Sequence, residues 1–259
     1  MAQGEGRRTR ARGARFCKKF GASVGLLMRI YDLSPRLSER TGVFPGDVGF
    51  RRETAMSFEA GHHLALSAMT TTLHIGSHAD SPGHYVRRGA GIDRRALGFY
   101  VGQCWVTSVA VERGERVAKS HLSEATLAAI ERHQVSRILI GTGTFPDPEQ
   151  WNSDFASLQP ELIHWLADHG VVLIGIDTPS VDPETSKTLD AHAALAARDL
   201  AVLEGICLSG VSEGRYFLSA APLKIADGDA GPLRALLIEG FEGDVAHDVP
   251  VTVCWWERS

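Results

Sequence analysis

The chain has 259 residues and a mass of 28.0 kDa, with 44% hydrophobic and 22% charged residues, enough length and apolar content for a sizeable core. Its 27 Lys and Arg against 31 Asp and Glu leave a net charge of −4 and a pI near 6.3, which excludes the broad basic footprint of a nucleic-acid or anionic-membrane binder. Apolar runs such as 171–176 and 235–238 fall far short of the roughly 20 residues that span a bilayer.

The first twenty residues carry Arg7, Arg8, Arg10, Arg12, Arg15, Lys18 and Lys19 against only Glu5. GASVGLL at 21–27 is short and Gly-bearing for the apolar region of a secretory signal, and no aromatic platform accompanies the charges as single-strand nucleic-acid binding requires. Residues 1–27 are expected to be a disordered basic extension, 28–245 the folded domain and 246–259 a tail. Within 28–245, strands are expected at 28–33, 63–69, 104–111, 137–141, 171–176, 200–208, 216–220 and 233–240, rich in Val, Ile and Leu as buried strands are. Helices are expected after Ser123, a candidate cap for ATLAAIERH, and between Pro160 and Gly170, which bracket ELIHWLADH. Long turn-rich loops lie at 34–47, 87–95 and 143–155. Strands alternating with helices, without a repeat or a low-complexity linker, predict one α/β domain with a central sheet flanked by helices.

The four cysteines, Cys17, Cys104, Cys207 and Cys254, form no CxxC pair and read as free thiols of a reducing, cytoplasmic setting. LIGTGTF at 139–145 has a Gly-x-Gly after a strand but no third glycine and no following helix, which argues against a dinucleotide site. Trp151, Trp165, Trp255 and Trp256 read as packing residues, with the Trp151 segment a possible cleft wall. His62 and His63 read as strand-edge residues. Asp177 closes the strand VVLIGI at the end where α/β sites are common, and either supports a ligand or holds a turn.

The most informative segment, LHIGSHADSPGHY at 73–85, places His74, His78, Asp80 and His84 within eleven residues. A helix would scatter this set, whereas an extended chain of period two points 74, 78 and 80 the same way, with Gly76 leaving space between the imidazoles. Pro82 opposes helix continuation and Gly83 permits a turn that returns His84 toward the others. Imidazoles with a carboxylate suit zinc or manganese, with positions left for water. The alternative is a chance cluster of hydrogen-bonded histidines, which three histidines and an aspartate in phase disfavour.

A second stretch, SKTLDAHAALAARDLAVLEG at 186–205, holds His192 and Glu204, which one straight helix would separate by about 18 Å. A helix ending near 199, followed by a strand through 201–204 that returns a similar length, sets them side by side. Glu204 stands among Val202, Leu203, Ile206 and Leu208, where a carboxylate is costly unless a cation or donor compensates it.

LHIGSHADSPGHY resembles the HxGTHxDxPxH signature of the cyclase-like metal hydrolases, and IGIDTPSVDPETSKTLDAH followed by LEGI resembles their bacterial kynurenine formamidase branch, over about Asp32 to Ala235. The resemblance implies a metal-dependent hydrolase of the swivelling β/β/α kind. In it His74, His78 and Asp80 hold one ion, Asp80 bridges to a second held by His192 and Glu204, and His84 is the catalytic acid/base. It further implies Zn2+, two per subunit, with Mn2+ in some relatives, and a homodimer or larger assembly. Ser77 replaces the usual threonine, and Phe44 stands where this branch has a substrate-contacting tryptophan, which keeps an apolar face but loses area and the indole N–H. The implied reaction is hydrolysis of N-formyl-L-kynurenine to L-kynurenine and formate in tryptophan degradation. A related aryl or cyclic amide such as isatin, or a non-catalytic metal-binding role, are the alternatives. The partner is thus a small molecule, with neither nucleic acid nor membrane expected.

Overall fold

The computed structural model describes residues 29–241, so the expectations for 1–27 and for 246–259, including Cys17, Cys254, Trp255 and Trp256, lie outside the described residues. Nine strands form one mixed sheet in the order β1 (Arg29–Asp32), β13 (Leu236–Glu239), β11 (Gly214–Ser219), β5 (Val101–Ser108), β7 (Arg137–Gly141), β9 (Leu173–Ile176), β10 (Ala201–Glu204), β4 (His78–Asp80), β12 (Ala230–Pro232). Its middle, β5-β7-β9-β10, is parallel, and antiparallel strands extend it on both sides. This is the expected α/β architecture.

Period-two alternation divides the core. Ile138 and Ile140 of β7, Ile174 and Ile176 of β9 and Val202 of β10 pack with Ile130, Leu162, Ile163, Leu166 and Leu195 of the helices α2 (Glu124–Glu131), α3 (Pro160–Asp168) and α4 (Asp190–Ala197). Leu139, Leu173 and Leu203 face the other way, into a core filled by Val106, Leu218, Tyr216 and Leu237 of the sheet's own strands as it curls. The caps follow the expectation: Ser123 Oγ accepts from Thr126 N at 3.0 Å, Pro160 opens α3, and Gly170 follows it at φ +87°. No helix among the described residues is long and apolar enough to cross a membrane.

Several local expectations change. The strand expected at 200–208 is β10 over Ala201–Glu204 alone, since Gly205 follows it at φ +64°. The strand placed at 63–69 is β3 (Leu66–Thr70), which pairs only with the unforeseen β2 (Arg51–Met56) as an exposed hairpin off the main sheet. Its apolar residues alternate with polar ones as a half-buried strand would, yet no layer among the described residues covers them. His62 and His63 sit in the connection before β3 rather than on a strand edge. Finally, β5 ends at Ser108 instead of 111, because Val109 leaves the strand while bonding Gly141 O.

Candidate active site

The strand register brings the second ligand block to the first. β4 runs antiparallel to β10 with Ala79 opposite Leu203 and Glu204 opposite His78. Since Ala79 and Leu203 point into the curled core, His78, Asp80 and Glu204 share the opposite face, toward α4. The chain reverses after α4 at Asp199, whose φ is +49°, and enters β10 at Ala201. This fold-back sets His192 Nε2 at 3.6 Å from Glu204 Oε1.

His74 arrives differently from the expectation. The in-phase extended run holds for His78 and Asp80, but residues 73–77 are a succession of bends, with Gly76 at φ +54° against Leu37 and Pro35. That bend, rather than strand alternation, turns His74 toward Asp80. Likewise Pro82 does not stop a helix; it opens the one-turn helix α1 (Pro82–Tyr85), which carries His84.

The five side chains His74, His78, Asp80, His192 and Glu204 converge. Asp80 Oδ1 lies 3.0 Å from His74 Nδ1 and 3.5 Å from His78 Nε2, while its Oδ2 lies 3.2 Å from His192 Nε2. His78 Nε2 is 3.2 Å from Glu204 Oε2, and Val181 N donates to Glu204 Oε1 at 2.8 Å. His84 stands one step back, its Nε2 4.0 Å from Asp80 Oδ2, and with 34% of its side chain exposed against at most 3% for His78, Asp80, His192 and Glu204. The burial of a cluster this rich in carboxylate is the cost that a cation would offset.

A surrounding layer sets the imidazoles. Asp182, which the sequence reading did not single out, accepts from the amides of Ala191 and His192, both at 3.0 Å, and from His192 Nδ1 at 2.8 Å. Arg116 donates to its other face at 3.1 Å. The hydrogen bonds from His192 and the two amides overcome burial and hold the Asp182 carboxyl down at about 2. His78 Nδ1 donates to Gly76 O at 3.0 Å. With Nδ1–H engaged in both rings, the neutral form of each ring turns an Nε2 lone pair toward carboxylate oxygens, an arrangement that calls for a proton or a metal ion between them. Two buried atoms register that demand directly: among the described residues, His78 Nε2 and Asp80 Oδ1 lack a hydrogen bond of good geometry, although Asp80 Oδ1 lies 3.0 Å from His74 Nδ1.

Protons register it as well. Burial works against protonation of His74 and His192, but hydrogen bonds and charge from Asp80, with Asp229 and Asp182 respectively, push the two up to about 9 and about 10. Burial also dominates at His84 and lowers it from the ordinary imidazole value. Asp229 was not foreseen either; its Oδ2 lies 3.0 Å from His74 Nε2 and 4.0 Å from His84 Nδ1. Tyr85 packs its ring 5.1 Å from that of His192. Tyr85 has no sequence signal beyond standing next to His84, and Asp229 has none, since it comes from a loop 149 residues downstream of Asp80. Among the described residues, the triads His74–His78–Asp80 and Asp80–His84–His192 each bring donor atoms close enough to hold a metal ion.

Beside this cluster a cavity of about 480 Å3 opens at the carboxyl ends of the four parallel strands, lined among others by Ser108, Thr142, Asp177 and Gly205 and reaching His74. Phe44, the expected substrate contact, lines it 42% exposed, its ring 5.6 Å from that of Trp151. Trp151 thus walls the cleft, with Phe145 5.7 Å away. The Gly-x-Gly turn at 141–143 carries no helix; its amides bind Asp177 instead.

Residues 31–183 match the family described as "Putative cyclase". The chain is 40% identical to a kynurenine formamidase of Bordetella pertussis over 82% of its own length and 99% of that protein. Its fold superposes with a TM-score of 0.68 on a solved structure described as a potential metal-dependent hydrolase with cyclase activity, 26% identical, covering 82% of this chain and 98% of that one. It also superposes with a TM-score of 0.65 on isatin hydrolase A from Labrenzia aggregata, 22% identical, over 82% and 93%. With the convergent histidine and carboxylate cluster, these likenesses identify the chain as a member of the cyclase family, in its kynurenine formamidase branch.

Proposed function

We propose that this protein is an arylformamidase that hydrolyses N-formyl-L-kynurenine to L-kynurenine and formate, consuming one water. Two zinc ions would be held by His74, His78, Asp80, His192 and Glu204, with Asp80 shared between them and manganese an alternative. The observation that carries the reading is the buried convergence of three imidazoles and two carboxylates, with His78 Nε2 and Asp80 Oδ1 lacking a well-formed hydrogen bond, beside an aromatic-walled cavity. Bound divalent ions supply the charge that makes water nucleophilic near neutral pH and polarises the formyl carbonyl.

The chain's own residues supply the rest. His84, lowered by burial and standing at the open side of Asp80, accepts the proton of the attacking water and delivers it to the departing arylamine nitrogen. Asp182 fixes the ring and tautomer of His192, and Gly76 O fixes those of His78. Phe44 and Trp151 offer apolar ring faces to the aryl group, so the tryptophan beside Phe44 compensates for the area Phe44 lacks.

Formate release from N-formyl-L-kynurenine, measured with metal content before and after chelation, tests the proposal. Activity and two ions per chain should disappear together and return with zinc; turnover that survives complete metal removal would defeat it. Bound metal without turnover of any arylformamide would instead mark a non-catalytic binder. The likeness to isatin hydrolase is one of fold, and a cyclic-amide substrate in the same assay separates that alternative.

A homodimer belongs to the same proposal. The β2–β3 hairpin exposes Phe58 at 64% and Met69 at 58%, together with Leu66, and a two-stranded hairpin is marginal unless something covers it. A second copy is the proposed cover. A cytoplasmic setting agrees with the buried thiol of Cys104.

A further inference from the structure

Two of the three proposed histidine ligands have their rings held by buried partners, His192 by Asp182 and His78 by Gly76 O. His74 is held differently. Its Nδ1 lies 3.0 Å from Asp80 Oδ1 and its Nε2 3.0 Å from Asp229 Oδ2, so the imidazole stands between two carboxylates with one nitrogen toward each. A neutral imidazole carries one proton, and only the nitrogen without it can bind a metal ion.

The neighbours decide which nitrogen that is. Asp80 Oδ1 is also 3.5 Å from His78 Nε2, so the donor atoms of His74, His78 and Asp80 gather on the Nδ1 side of His74. Another grouping, His74–His84–Asp229, gathers on the Nε2 side, but two of its three members are exposed, and the Asp229 side chain is 52% accessible against 1% for Asp80. An ion that offsets buried charge belongs on the Nδ1 side. The proton then belongs on Nε2, donated to Asp229. His84 Nδ1, at 4.0 Å from the same oxygen, is beyond hydrogen-bond reach, which leaves His74 as the partner.

The main chain around Asp229 is clamped. Asp229 precedes β12 at the sheet edge, where Ala230 pairs with Asp80. Ser81 N donates to Asp229 O at 2.9 Å, and Gly228 O accepts from Ser81 Oγ at 3.0 Å and from Ile92 N at 2.8 Å. Arg94 pairs with Asp227 at 2.7 Å. The residue after Asp80 thus anchors the segment that presents the Asp229 carboxylate to His74.

We propose that Asp229 is a positioning residue: it holds His74 in the tautomer that leaves Nδ1 free for the ion shared with His78 and Asp80, as Asp182 does for His192 at the other ion. The inference deepens the two-ion reading and rests on it. Water reaches Asp229, so its bond is worth less than the buried one of Asp182.

Zinc titrated against a chromophoric chelator in the full chain tests it. In Asp229→Ala one of the two ions should bind about tenfold more weakly, with the other within about twofold of wild type. Asp229→Asn keeps an acceptor oxygen without the charge and should recover part of that loss. At a chelator concentration that strips only the weakened ion, Asp229→Ala should keep one ion, alone or combined with His74→Ala. Combined with Asp182→Asn it should keep none, since the two aspartates then serve different ions. Equal weakening of both ions, wild-type affinity for both, or a third zinc per wild-type chain overturns the proposal. Should Asp229→Ala not fold, the same one-ion loss is read in Asp229→Asn, whose main-chain contacts and side-chain shape are unchanged. A selective loss in a protein that binds two zinc ions but cleaves no arylformamide would keep the positioning role while removing the formamidase reading.

Discussion

Asp80 and Asp177 are both carboxylates at strand ends of the same sheet, and the protein treats them oppositely. Asp177 is met by two backbone amides and a hydroxyl, all within 2.9 Å, so the fold itself satisfies it. Asp80 is met by three imidazoles instead of backbone amides, and its Oδ1 lacks a hydrogen bond of good geometry among the described residues. The difference lies in what each carboxylate waits for. A carboxylate that the fold satisfies needs no ion, whereas one set among imidazoles and a second carboxylate in a buried site favours a compact multivalent cation.

The largest effect is expected where that contrast is abolished. Asp80→Asn keeps the shape but removes the charge shared by both proposed ion sites. It should reduce kcat/KM roughly a thousandfold or more, with bound zinc falling in step by mass spectrometry of the metal content. Retained stoichiometry would show that the cation demand does not centre on Asp80.

Removing the proton carrier should spare the cation. His84→Ala is expected to lower kcat by about 10^2- to 10^4-fold with zinc content unchanged, and loss of zinc would make His84 a ligand. Because a base works in its neutral form and burial lowers His84, the wild-type rate should fall only as the pH drops below the ordinary imidazole value of 6.5. The variant's profile should lack that limb.

Smaller again is the loss of a supporting hydrogen bond. Asp182→Asn should weaken zinc affinity by about 10- to 100-fold, seen in competition with a chelator, with near-normal rates at saturating metal. Smallest in the assay is the effect of the distant hairpin: Phe58→Asp with Met69→Glu should convert a dimer to a monomer by light scattering while changing the rate less than about twofold. A wild type that is already monomeric would leave the exposed hairpin without the proposed cover.

The sequence was most legible where chemistry requires residues in a short interval. HxxxHxD at 74–80 and the fold-back from His192 to Glu204 can be read without coordinates, the second because helix rise and strand rise fix the returning length. The Gly76 bend was hidden by the same pattern, since a histidine delivered by a positive-φ glycine and one delivered by strand alternation are spelled alike. Asp182 could not be found by period, because it acts through a loop that meets the first turn of α4. The β2–β3 hairpin misled in the other direction: its alternation is that of a buried strand, yet among the described residues it pairs only within itself and stays exposed.

Residue types and spacings by themselves determined the α/β class, the caps of α2 and α3 and the set of side chains that converge, since periodicity, capping and ligand chemistry are local properties. The tertiary structure decided which face of β4 and β10 those side chains share, that Trp151 stands beside Phe44, and that one aspartate meets amides while the other meets imidazoles. Those outcomes depend on strand register and on loops distant in sequence, and a one-residue slip between β4 and β10 would part Glu204 from the face that His78 and Asp80 share.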